Sequence, residues 1–346
     1  MRDTKQMLRY IVQRLALMVF TFLVIFTICF ILIRMLPINA SVGLKDPETF
    51  YQAQVNMGRM YRGEDGEYYA VPVLEQFWTF LRNLFNPPTY TNSLGVSQEV
   101  SRWGYSWYIS WLESPMDILS KRLPPTILIN VYSIIVAVPL GLLLGIYMAL
   151  KKNKWQDYLL SVVIMLVISV PSFVYAFLLQ YLFGYKWAIL DPMVSNNSAN
   201  WLSFGVFKSM ILPIISMSLG SIAGYARYTR AELTEVLTSD FMLLARTKGL
   251  SRRQATVHHA FKNALVPIFP MILGEIISVL SGSIIIEQIF SVNGVGNLFL
   301  SSITQRDYDV FQFVGMFYVL IGLVGSLVVD LSYGIVDPRI RMGGKK

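Results

Sequence analysis

TILINVYSIIVAVPLGLLLGIYMAL runs from Thr126 to Leu150 without one charged side chain. As a helix this stretch is about 37 Å long, which exceeds the roughly 30 Å hydrocarbon core of a bilayer. It has no polar face to offer water. In lipid that is no defect, because a helix pairs all its backbone groups internally.

Working outward, five more stretches read the same way. Tyr158–Tyr185 and Val310–Val329 carry no charge, and Pro267–Ile286 carries only Glu275. Ser209–Ala226 is shorter and rich in small residues. Ile11–Leu36 is interrupted only by Arg14 and Arg34 near its ends, where long side chains snorkel to the interface. Composition agrees: 54% of residues are hydrophobic and 14% charged, against about 25% charged in soluble domains. The fold class expected is all-α, a polytopic membrane protein with six transmembrane helices. The basic residues before the first span suggest a signal peptide. Its apolar core is too long for one and no small-residue cleavage site follows, so it reads as a retained anchor.

Orientation follows from the basic residues. Arg2, Lys5 and Arg9 precede the first span, Arg14 lies in its first turn, and Lys151, Lys152 and Lys154 follow the second. Arg227, Arg230, Arg246, Lys248, Arg252, Arg253 and Lys262 lie between the fourth and fifth, and Arg339, Arg341, Lys345 and Lys346 close the chain. The opposite short loops hold only Lys186, Lys208 and Arg306. Both termini are therefore expected in the cytoplasm, with a large extracytoplasmic loop between helices 1 and 2. The expected organisation is 1–36 as cytoplasmic N-terminus and first helix, 37–122 as external loop, and 123–346 as a core of five helices. That core carries a cytoplasmic loop at 227–266.

Within the external loop, Val73–Phe85 places Leu74, Phe77, Trp78, Leu81, Leu84 and Phe85 at helical spacing, with Phe80 off the pattern. An amphipathic helix is expected, lying in the outer headgroup region or packed on the bundle. A platform for an external partner is the functional alternative. Tyr90–Trp111 reads as an irregular surface excursion.

Several chemistries are excluded. Cys29 alone forms no intrachain disulfide or cysteine zinc site. His258 and His259 are adjacent and diverge by about 100° on a helix, which disfavours chelation. No G-x-x-x-x-G-K-[ST] phosphate loop occurs. No clustered nucleophile and base suggests a membrane-embedded enzyme. An ion-coupled secondary transporter would call for inverted repeats with paired broken helices and several buried acids, and neither is seen.

The polar exception among the spans is Ser239–Pro267, SDFMLLARTKGLSRRQATVHHAFKNALVP. Asp240 suits an N-cap, and Phe241 to Lys248 make about two turns. Gly249 stands at a left-handed C-terminal position after Arg246 and Lys248. Ser251 and Gln254 form a capping box opening a second helix. Phe241, Leu244 and Ala245 are expected on one face. Three readings compete: a groove-reading DNA motif, a solvated loop, and a short helix docked in a partner's groove.

Leu243-Leu244-Ala245-x-x-x-Gly249, about 20 residues before Val266-Pro267, resembles the cytoplasmic "EAA" loop of ABC importer permeases. The wording from Arg230 through Glu235-Val236-Leu237, Asp240-Phe241, Ala245-Arg246 and Lys248-Gly249-Leu250 is similar to B-type subunits of dipeptide and oligopeptide permeases. So are Arg122-Leu123-Pro124-Pro125-Thr126, Lys262-Asn263-Ala264-Leu265-Val266-Pro267, Glu287-x-Ile289-Phe290-Ser291-x-x-Gly294-x-Gly296 and Asp337-Pro338-Arg339-Ile340-Arg341. Two departures stand out. Leu243 occupies the EAA glutamate position, and the external loop is enlarged around Ser41–Ala70 and Pro87–Trp111.

The resemblance implies a non-catalytic subunit of the bacterial cytoplasmic membrane. Its partners would be a second permease, two cytoplasmic ATPases, an extracytoplasmic substrate-binding protein and membrane lipids, with no nucleic acid. No cofactor is implied in this chain, ATP and Mg belonging to the ATPases. Asp240, Phe241, Leu243, Leu244, Ala245, Arg246, Lys248 and Gly249 would form the ATPase-coupling element. A peptide path between the two permeases would draw on Asn130, Ser133, Glu275, Ser278, Ser281 and Ser283. Nickel or another metal-chelate solute remains an alternative cargo.

Overall fold

A computed structural model describes residues 2–36, 46–91, 97–196, 200–256 and 260–336. His258, His259 and the tail from Asp337 onward lie outside the described residues. In chain order the elements are α1 (Arg2–Arg34), α2 (Pro47–Asn56), β1 (Met60–Arg62), β2 (Tyr68–Ala70), α3 (Val73–Phe85), β3 (Thr89–Thr91), β4 (Ser97–Glu99) and α4 (Pro115–Leu150). There follow α5 (Trp155–Ser169), α6 (Ser172–Leu179), a π-helical turn (Gln180–Lys186), α7 (Phe204–Leu237), α8 (Asp240–Thr247), α9 (Arg252–Ala255) and α10 (Phe261–Ala264). The chain closes with α11 (Ile268–Ser278), α12 (Ile284–Ile289), α13 (Val295–Thr304) and α14 (Tyr308–Val336).

Among the described residues, four helices are long and apolar enough to cross a membrane: α1, α4, α7 and α14. A fifth crossing arises if α5 and the segment from α6 to Lys186 count as one span, although they bend by 98°. The break is at Val170-Pro171. Val170 is extended (φ −87°, ψ 126°), as a residue before proline prefers, and the helix restarts at Ser172. Pro139, in contrast, sits inside continuous α4.

The stretch Pro267–Ile286 is not one helix. α11 has 11 residues, about 16 Å of rise, which is short of a bilayer. The chain then turns through Gly282 at φ +65° and restarts at Ser283, whose hydroxyl accepts from the Ile286 N–H. A Cβ on Gly282 would lie 2.3 Å from Glu287 Oε1. Glycine is required there both for its backbone conformation and for space.

Two compact units divide the chain: Met1–Arg122 with Leu298–Leu320, and Leu123–Asn297 with Ile321–Lys346. In the first unit, α3 packs on α1. Phe77 and Phe80 stack around Phe26 and Phe30 at ring separations of 5.3–6.1 Å. Trp103 and Met316 complete that cluster. Phe80, off the expected pattern, is buried at its centre. Among the described residues, the segment between α1 and α4 is also less irregular than its composition suggests: β1 pairs with β2 and β3 with β4, both antiparallel.

Two carboxylates gather this unit's loop. Asp309 accepts from Arg59 Nη1 at 2.8 Å and Arg34 Nη2 at 3.4 Å, all three side chains being buried. Asp307 Oδ2 accepts the Ser106 hydroxyl at 2.6 Å and the backbone N–H groups of Trp107, Tyr108 and Ile109 at 3.1–3.2 Å. Its Oδ1 is buried with no hydrogen-bond partner among the described residues. Burial pushes the Asp307 carboxyl above its ordinary value, and the converging donors only partly oppose this.

In the second unit, α4 and α7 approach closely. A Cβ on Gly141 would sit 2.5 Å from the Tyr225 Cβ, and one on Gly145 would sit 2.5 Å from the Thr229 Cβ. Gly141-x-x-x-Gly145 is therefore a packing face, where the absence of side chains lets the backbones meet.

Candidate coupling loop and translocation residues

α7 ends at Leu237. Two residues later the chain turns into α8. The N-cap is Ser239, with extended backbone (φ −76°, ψ 155°), so Asp240 is the first helical residue and not the cap. As an acid in the first turn it still suits the positive end of the helix. At the other end Lys248 caps the helix and Gly249 takes φ +90°. Nothing lies within 4 Å of a Cβ added to Gly249, so its role is conformational and not spatial. The capping box that follows is formed: Ser251 N–H donates to Gln254 Oε1 at 3.1 Å, and Gln254 N–H donates back to Ser251 Oγ at 3.3 Å.

The short helix has two faces. Met242 and Ala245, three residues apart, are buried against Ala149, Leu233, Ala255, Ala260 and Ala264. Ala245 is therefore buried while Phe241, one turn before it, and Leu244 are exposed, so the three do not share one exposed face. Phe241, Leu243 and Leu244 are 46%, 62% and 54% exposed, with Asp240, Arg246, Lys248 and Gly249 exposed around them. The sequence reading missed Met242, although its i, i+3 spacing to Ala245 carries the signal. The result is a helix held from behind that presents three large apolar side chains and two cations outward.

The candidate path residues divide. Asn130 is buried and donates to the Thr126 carbonyl of its own helix at 2.7 Å. Ser133 is buried and donates to the Ile214 carbonyl on α7 at 3.0 Å. Both are engaged in helix geometry and packing. Glu275 is half-buried on α11 and accepts from two α7 hydroxyls, Ser221 Oγ at 2.6 Å and Tyr225 Oη. No ion pair forms on Glu275 among the described residues. Ser278 is exposed and donates to the Glu275 carbonyl at 2.7 Å. Ser281 follows where α11 ends, half-buried. Ser283 serves as the α12 cap.

The buried carboxylate of Glu287 is visible in the sequence only as part of a spaced motif. Glu287 accepts from Thr126 Oγ1 at 2.8 Å and the Asn297 N–H at 2.9 Å. A Cβ on Gly294 would meet the same carboxylate at 2.5 Å. Glu287 thus ties the turn between α12 and α13 to Thr126, three turns into α4.

Residues 141–342 match the family described as binding-protein-dependent transport system inner membrane component. The chain is 32% identical to the dipeptide transport system permease protein DppB of Bacillus subtilis, over 98% of this chain and 100% of that one. It is 30% identical to DppB of Lactococcus lactis, over 97% and 100%. The same identity relates it to the glutathione transport system permease protein GsiC of Escherichia coli K12, over 97% and 99%. A solved amino acid ABC transporter chain aligns with a TM-score of 0.45 at 19% identity, covering 63% of this chain and 94% of that one. The chain belongs to the family of binding-protein-dependent transport inner membrane components. It is a multi-pass, non-catalytic permease subunit of an ABC importer in the cytoplasmic membrane.

Proposed function

We propose that this chain is the B-type permease of an ATP-driven importer for di- and oligopeptides. Its partners in this reading are a second, related permease, two cytoplasmic ATPases and an external substrate-binding protein. ATP and Mg are bound by the ATPases. The observation that carries the reading is α8, anchored by Met242 and Ala245 and offering Phe241, Leu243 and Leu244 outward. Apolar anchors at i, i+2 and i+3 on a short helix fit a groove on a partner. Both termini and α8 lie in the cytoplasm in this orientation, as the distribution of basic residues favours. The chain then crosses six times, the fifth crossing being α11 with the broken segment after it.

ATP-driven closure of the ATPases would move α8 as a lever. The spans would switch between two discrete states. The peptide class is favoured by the relatives' printed substrates, a dipeptide and glutathione, both carrying an amino group and carboxylates. A carboxylate that accepts from two hydroxyls and forms no ion pair among the described residues suits the amino group, so Glu275, with Ser278 and Ser281 near it in sequence, is the leading candidate for the path. Asn130 and Ser133, the other candidates, are engaged by the Thr126 and Ile214 carbonyls. Nickel or another chelated solute is the alternative cargo, and an ion-coupled secondary transporter is the rival class.

Co-purification tests the assembly. A tagged chain is extracted from native membranes in mild detergent and its companions are identified by mass spectrometry. ATPases with a phosphate loop and a second permease are expected. Recovery of the chain alone, or as a homodimer, under conditions that preserve other complexes would sink the reading. Cargo is tested by uptake: Glu275→Gln should change the rate for some members of a peptide panel and leave ATPase association intact.

A further inference from the structure

α3 divides into sectors that a soluble loop helix does not need. At 100° per residue, Phe77, Phe80, Leu81 and Leu84 fall within one arc of about 100°, and these are the residues packed on the Phe26–Phe30 cluster. Thr79, Asn83 and Gln76 fall in another. They face the unit's own external loop: a Cβ on Gly58 would meet Thr79 Cγ2 at 2.6 Å, and Gln76 Nε2 donates to the Val71 carbonyl at 2.7 Å. Leu74, Trp78 and Phe85 fall within a third arc of about 40°. They are 69%, 68% and 83% exposed. Glu75 and Arg82, also exposed, border that arc on the loop side.

The depth of α3 decides what covers this arc. Its inner residues touch α1 at Phe30 and Phe26, which lie four and eight residues before Arg34. That is about 6 and 12 Å inward from the end of the span. The same cluster includes Met316 and Val319 on α14. These lie about 12 and 16 Å inward from Tyr308. Two membrane-spanning helices therefore place α3 alongside their terminal turns, within the thickness of the bilayer. The charged group Arg34, Arg59 and Asp309 marks the aqueous end of both. α1 itself carries exposed apolar side chains at this level, including Ile28 and Leu32 at 53% and 59% exposure. The exposed arc of α3 continues that surface.

We propose that α3 is a monotopic helix inserted in one leaflet, its Leu74–Trp78–Phe85 stripe covered by phospholipid at the boundary of headgroups and acyl chains. The leaflet is the outer one in the orientation given above. Trp at this level is favoured because its ring is apolar and its N–H is polar. Arg82 and Glu75 reach the headgroups. The inference needs only that α1 and α14 cross the membrane, so it survives a change of cargo or partners.

Nitroxide labels test it. The importer complex, with Cys29→Ala and single substitutions Leu74→Cys, Trp78→Cys or Phe85→Cys, is labelled. It is then reconstituted into vesicles of phosphatidylethanolamine and phosphatidylglycerol. Collision with oxygen should exceed collision with chelated nickel several-fold at all three sites, and the reverse should hold for a label at Tyr61→Cys. Nickel access equal to that of Tyr61→Cys would overturn the proposal in favour of a water-facing platform. Exclusion of both reagents would overturn it in favour of a protein partner. A photoreactive phospholipid applied to the unsubstituted complex gives an answer independent of the variants. Adducts within 74–85 are expected. Adducts on α1 with none on α3 would overturn the proposal.

Discussion

Arg230 on α7 grips Asp157 on α5 with a two-point fork, Nε to Oδ1 at 2.5 Å and Nη2 to Oδ2 at 2.7 Å. Asp157 is fully buried and accepts a third bond from the Asn153 N–H at 3.1 Å. The pair lies two turns before α7 ends and α8 begins. It therefore fixes the first half of the bent span to the root of the short helix.

Removing either partner leaves the other desolvated without its match. Arg230→Met or Asp157→Asn should destabilise the protein by about 1.5–3 kcal/mol, the range for hydrogen bonds to charged groups. Arg230→Lys should recover only part, because an ammonium cannot reproduce the planar fork. Denaturant unfolding in detergent measures this. Wild-type stability in Asp157→Asn would show that the fork contributes nothing net.

The glycines make a paired prediction. Gly145→Ala forces a Cβ against Thr229 and the Ala226 carbonyl and should cost about 1–3 kcal/mol by overpacking. Gly224, on α7 with nothing within 4 Å of an added Cβ, should tolerate alanine and gain up to about 1 kcal/mol of helix propensity. Thermal melts of the two variants should fall on opposite sides of wild type. Equal melts would contradict the close α4–α7 crossing.

Asp307 gives the pH dependence. Burial raises its folded-state value above the unfolded one. Such a carboxyl contributes most to stability below the unfolded value of about 3.9, and that contribution is lost as pH rises through the folded-state value. Asp307→Asn removes the titration and keeps an acceptor oxygen for the loop N–H groups. As pH rises from about 4, the stability of wild type relative to Asp307→Asn should therefore fall. Tryptophan signals from Trp107 and Trp111 report the loop. Parallel curves for the two proteins would contradict the assignment.

Much of this was legible in the sequence, for reasons that are local. The charge-free stretches fix α4 and α14 because their signal is contiguous. The capping box at Ser251 and Gln254, and the left-handed Gly249, are written within a few residues. The break inside Pro267–Ile286 was not legible. Gly282 there is dictated by Glu287 and Thr126, the latter more than 150 positions away. The Arg34, Arg59 and Asp309 group was hidden in the same way: each charge is ordinary in its own stretch and meaningful only once brought together. The assignment of Ala245 to the outer face failed because a two-turn helix carries too few apolar residues to show which stripe is buried. Asn130 and Ser133 stand out in the sequence as polar residues in an apolar span, but their partners, the Thr126 and Ile214 carbonyls, are not readable from it.

The central claim is that the outer face of α8 docks on an ATPase. A photoreactive phenylalanine analogue placed at Leu244 in the intact complex tests it most directly. Ultraviolet irradiation should yield an adduct with a subunit bearing a phosphate loop, and Gly249→Asp should abolish or weaken it by disturbing the φ +90° exit of the helix. The same analogue at Met242, on the buried face, should give no such adduct. An adduct at Leu244 with lipid or with no other chain, in a complex shown to contain the ATPases, would contradict the account.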